Sequence, residues 1–161
     1  MLGDVALATA NSQASVQMAA EHDLAQPRAW SMGVAGWCLA QNGEPEAGLA
    51  LVTQAIAAMH TMHSRHFQAY LLGLLAAVHF RAGHDAQAME AVQEGLVEAE
   101  ATGERFYKAE LLRMRGELLA RASEGHKEAE ASFHAAVKVA AQQGAIALER
   151  KARASLRRWC G

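Results

Sequence analysis

His60, His63 and His66 stand three residues apart in the run HTMHSRH. Imidazoles at that spacing can share one helix face, as paired metal ligands do. The run holds no cysteine or carboxylate, and a continuing helix would carry His66 about 240° round from His60. The pattern therefore reads as a polar turn between helices, and no metal is expected. Cys38 and Cys160 lie far apart and form no metal-type pair, so they read as reduced thiols of a cytoplasmic protein. No G-x4-G-K-[ST] phosphate loop, G-x-G-x-x-G turn or G-x-S-x-G elbow occurs. The remaining candidates are Trp, Tyr, Phe, Arg and Glu side chains, several of them types that concentrate binding energy in interfaces. The chain reads as non-catalytic, with no cofactor.

The elements that must position these side chains are helices. Ala dominates an apolar content of 52%, and only two prolines occur, Pro27 and Pro45. That mixture favours helix nearly throughout. Small and apolar residues recur at a step of 40–41: Ala29, Ala69 and Ala109; Gly36, Ala76 and Gly116; Val52, Val92 and Phe133. A fixed period in this range marks a repeat array. Each repeat reads as two helices joined by a short turn. Asn42–Pro45 and Ala82–Asp85 are such turns, with Gly43 and Gly83 as left-handed stops and Asp85 as an N-cap. The third turn, Ser123–His126, holds one extra residue, which gives the step of 41.

The sequence therefore predicts one domain over residues 1–161: full repeats at 28–63, 67–102 and 106–143, a half repeat at 4–22, and a capping helix at 145–159. The fold class is all-α, a stack of antiparallel helix pairs with about eight helices. The charge is uneven. Residues 1–100 carry three basic and ten acidic side chains, and residues 101–161 carry twelve and seven. Such polarity either orients a partner or reflects solvated helix faces. No apolar run reaches the roughly 18 residues of a membrane span. The basic last helix lacks aromatic interleaving and a helix-turn-helix pattern, so nucleic acid is not the expected partner.

This pattern resembles the tetratricopeptide repeat. The small positions are Gly36, Gly48 and Ala55; Ala76, Ala88 and Gly95; Gly116, Ala129 and Ala136. The large ones are Leu39, Val52 and Ile56; Leu72, Val92 and Leu96; Leu112, Phe133 and Val137. The period exceeds the family's usual 34. In that respect the chain is similar to the C-terminal repeats of bacterial maltose-regulator-like activators and ATPase–nucleotidyl cyclase regulators. The stretches ERFYKAELLRMRGELL and AEASFHAAVKVAAQQGAIALERKARASL carry that likeness.

The resemblance implies a right-handed superhelix in which the first helix of each pair lines a concave groove. Its groove positions fall on Trp30, Trp37, Tyr70, Phe80, Arg81, Arg113, Glu117 and Arg121. A peptide or protein partner is expected there, held by apolar anchors and charge pairing. The expected role is an interaction scaffold or regulatory module of a bacterial signalling protein. Two alternatives stand beside it. One is an effector-sensing module of a transcriptional regulator, with Trp30, Trp37 and Tyr70 stacking on a small molecule and Arg81 and Arg113 orienting it. The other is a homodimer formed through the N-terminal helix, whose apolar side carries Val5, Leu7, Ala8, Val16 and Met18.

Overall fold

The computed structural model describes residues 5–122 and 125–160. These form eight α-helices: α1 Val5–Glu21, α2 Ala25–Gln41, α3 Pro45–Thr61, α4 Gln68–Ala82, α5 Asp85–Thr102, α6 Lys108–Arg121, α7 His126–Gln142 and α8 Ile146–Cys160. No strand occurs among the described residues. Consecutive helices pack on one another throughout. The first helices of the pairs also touch in a row, α2 on α4, α4 on α6 and α6 on α8. Among the described residues the second helices α3, α5 and α7 make no comparable contact with each other. The stack is thus two-layered, and the first-helix layer is the tighter one.

Local chemistry explains the joints. Pro45 opens α3, where its missing N–H would have had no intrahelical partner. α2 begins at Ala25, three residues ahead of the expected Arg28. Pro27 is tolerated because it sits in the first turn. Asp85 is not the N-cap of α5. His84 holds that position without a side-chain cap bond, and Asp85 is the first helical residue. Asp4, Ser123 and Glu124, included in the expected bounds, lie outside the described residues. One repeat position, just past each second helix, is left-handed in all four copies: Asp23 (φ 55), His63 (φ 52), Gly103 (φ 74) and Gly144 (φ 64).

Within a pair, small residues set the helix separation. A Cβ on Gly36 would lie 2.7 Å from the Gly48 carbonyl oxygen, and one on Gly48 would lie 2.5 Å from that of Gly36. Backbone meets backbone at this crossing, so neither position admits a side chain. In the third pair the Phe133 ring fills the space over Gly116, 2.6 Å from where a Cβ would stand. Val52, Ala55, Met59, Leu71 and Val78 are fully buried between α2, α3 and α4. Val92, Ala88, Met114 and Leu118 repeat the arrangement one layer on. Each fully buried Leu or Met side chain contributes about 1.5–3 kcal/mol. The core clusters join through shared helices, since α4 contributes to all three and α6 to two.

Candidate functional site

The structure gathers the candidate residues into two groups on the first-helix layer. The first is a row of aromatic rings at the N-terminal ends of α2, α4 and α6. Trp30 meets Phe67 edge to face with centroids 4.6 Å apart. Phe67 meets Phe106 at 5.4 Å. Tyr70 meets Phe106 at 5.8 Å and Tyr107 at 4.9 Å. These separations suit favourable aromatic pairs. The row is anchored from beneath. Gly73 leaves the room that the Tyr107 ring occupies. Burial pushes the Tyr107 phenol well up from its usual range, with Glu110 and Tyr70 adding to the effect. Burial does the same, less strongly, to Tyr70. Phe67 and Phe106 form the open surface, at 36% and 46% exposed. The Trp30 indole N–H is buried without an acceptor.

The second group lies where α4, α6, α7 and α8 meet. Phe80, Glu117 and Arg121 line a small pocket of about 230 Å³ with Ser155, Arg158 and Trp159. The Arg121 guanidinium sits 3.7 Å above the Phe80 ring centroid and bonds Asp85 at 2.8 Å.

Arg113 does not face an open groove. It is 7% exposed, beneath α8. It donates to both oxygens of Glu110, at 2.9 and 2.8 Å. It also pairs with Glu117 at 2.5 Å and reaches Ser155 at 3.4 Å. Lys151 adds a further bond to Glu110, and Ser155 and Arg158 donate to Glu117. Burial alone would raise the carboxyls of Glu110 and Glu117. Arg113 and its neighbours outweigh it and hold both below the usual range. Arg113 is closed off because α8 packs across this end of α6 and encloses the charges.

Trp37 is half-buried against the first core layer, and Arg81 is exposed; neither joins a group. Phe67, Phe106 and Tyr107 escaped the groove register because they precede or cap their helices. The repeat itself holds a signal, since Phe67 and Tyr107 share one column and Trp30 and Tyr70 another. The histidine run divides among separate partners. His60 is 2.8 Å from the Gln68 amide, and His66 is 4.0 Å from Glu104. Among the described residues no cluster of three or more His, Cys, Asp or Glu side chains could hold a metal ion. No helix there is long and apolar enough to cross a membrane. Cys38 is a free, fully buried thiol.

No protein-family model matches the chain. An uncharacterized protein of Rhizobium meliloti (strain 1021) is 43% identical to it over 89 residues, which cover 55% of this chain and 8% of that protein. The matched chain thus spans only a small fraction of that relative's length.

Proposed function

We propose that this chain is a tetratricopeptide-like interaction module of a larger bacterial signalling protein. It works in the cytoplasm, catalyses nothing itself, and binds a peptide or protein surface along the row of aromatic rings. The observation that carries this reading is the row itself. Five rings from three repeats adjoin, and the two at the surface are held in place by the three below them. Rigid aromatic area of this kind supplies binding energy at low entropic cost. The effector-sensing alternative is the weaker one, because Arg113 is engaged beneath α8. Self-association draws support from Leu7 and Met18 on α1, at 59% and 60% exposed, and light scattering at micromolar concentration measures it.

The test is capture from a lysate of the native host by the wild type and by a Phe67→Ser/Phe106→Ser variant. Both rings are partly exposed, so the variant should fold and unfold cooperatively at a lowered melting temperature, through its lost ring pairs, while losing the captured partner. Undiminished capture by a folded variant would move the binding surface elsewhere.

A further inference from the structure

Beside the aromatic row, the turn between α3 and α4 meets the turn between α5 and α6 around a cleft of about 570 Å³. Gln26, His63, Ser64, Arg65, His66 and Glu104 are among the residues that line it. Two unpartnered buried oxygens set this place apart. Ser64 is only 8% exposed, and its hydroxyl has no hydrogen-bond partner. The Glu104 carboxylate uses Oε1 to accept the Phe67 N–H at 2.8 Å, while its buried Oε2 has no partner. The turn also carries a left-handed non-glycine residue, Phe67 (φ 59), whose counterpart Tyr107 is not left-handed (φ -102). Buried polar atoms without partners and strained backbone tend to collect at sites that complete themselves with a ligand.

The charges indicate which ligand fits. Arg65 closes on Glu98 through two bonds of 2.7 and 2.8 Å, which neutralises it. His66 lies 4.0 Å from Glu104 Oε1 and carries charge only when protonated. The Glu104 carboxylate is thus left as the uncompensated full charge among these groups. Its backbone is fixed, since its N–H donates to the Thr102 hydroxyl at 3.3 Å. A carboxylate oxygen and a serine hydroxyl, both lacking partners, suit a compact donor with several N–H bonds and a positive charge.

We infer that the cleft binds a primary ammonium group, with Glu104 Oε2 as the charge partner and the Ser64 hydroxyl as a second acceptor. The group belongs either to a free amine or to a lysine side chain of a peptide lying on the adjoining aromatic row. Only the second source rests on the function proposed above.

Calorimetric titration of the whole chain tests this with three probes: putrescine, the peptide acetyl-Leu-Lys-Leu-amide, and the same peptide with norleucine in place of lysine. Norleucine keeps the shape and removes the charge. At least one ammonium probe should bind the wild type, and norleucine should bind more weakly than lysine. Glu104→Gln keeps an acceptor for the Phe67 N–H and removes the charge. It should weaken the ammonium probe about tenfold or more, and Ser64→Ala by less. Phe106→Ala separates the sources. It should weaken the lysine peptide and leave putrescine unchanged. Putrescine binding that depends on Glu104 therefore stands even if the aromatic row binds no peptide. Equal binding of the norleucine and lysine peptides, indifference to Glu104→Gln, or no binding of either ammonium probe at millimolar concentration would overturn the inference.

Discussion

Arg113 of α6 reaches Ser155 of α8 across 3.4 Å, at a joint where the earlier layers set glycine against leucine. In the first layer Gly33 makes room for Leu71 and Leu74, and in the second Gly73 makes room for Tyr107 and Leu111. The third layer reverses the sizes. Arg113 occupies the glycine column, and α8 answers with Ala152 and Ser155, at 1% and 2% exposed, in the columns of Leu111 and Met114. Large and small side chains trade places, and an apolar joint becomes an ionic one. Removing one member of such a buried set leaves charges without compensation, which costs about 3–5 kcal/mol. Arg113→Met should therefore lower unfolding stability in urea by that order. Adding Glu110→Gln should recover part of the loss, giving a double-mutant cycle that is clearly non-additive. Independent, additive losses would show that the network is not coupled.

Acid should loosen the same joint. Glu110 and Glu117 are held below their ordinary range in the fold, by Arg113 first and then by Lys151, Ser155 and Arg158, against the opposing push of burial. A carboxylate with a lowered folded value stabilises the fold fully above its unfolded value, and loses that contribution as pH falls through the folded value. The unfolded reference is 4.5, so stability should hold from neutral pH to near that value and fall below it. Glu110→Gln should be less stable than wild type at pH 7. Its acid limb should be flatter, as read by circular dichroism across a pH series. A parallel acid limb in the variant would assign the acid sensitivity to other groups.

Glycine substitutions should separate backbone crossings from side-chain contacts. A Cβ at position 48 meets the Gly36 carbonyl oxygen at 2.5 Å, so the helices must part. A Cβ at position 33 meets the far end of the Leu71 side chain, which can turn aside. Alanine also gains about 0.5–1 kcal/mol over glycine within a helix. Gly33→Ala should thus be near neutral, whereas Gly48→Ala should cost about 1–3 kcal/mol. Thermal melts of the two variants check the order, and equal melting would refute the close crossing of α2 and α3.

The 40-residue spacing made the helix pairs legible, because Gly36 and Gly48, or Gly116 and Phe133, must face each other to let the helices approach. The site was legible only in part. Trp30 and Tyr70 follow from the register, but Phe67 is left-handed and its N–H is held by Glu104, which is 37 residues away. The column of Arg113 misleads for a different reason. Its column does face the next first helix, and whether that means an open groove or an enclosed joint depends on how closely α8 docks. Periodicity gives the column of a residue. It does not give the size match of Ala152 and Ser155 that accepts an arginine there.

His63 offers the last test, because its three counterparts are known. Gly103 and Gly144 hold the same left-handed position at φ 74 and 64, and Asp23 holds it at φ 55. A left-handed residue with a Cβ costs roughly 1–2 kcal/mol. Glycine removes that cost but gives the unfolded chain more freedom, which takes back about 0.4–1 kcal/mol. His63→Gly should therefore stabilise the fold by about 0.5–1 kcal/mol, a rise of about 2 °C for a domain of this size. His63 lines the same cleft as Ser64 and Glu104. Differential scanning calorimetry of His63→Gly beside Gly103→Ala gives both signs at once. The first should melt higher than wild type and the second lower. A His63→Gly variant that melts below wild type would show that the imidazole itself contributes more to folding than its backbone costs.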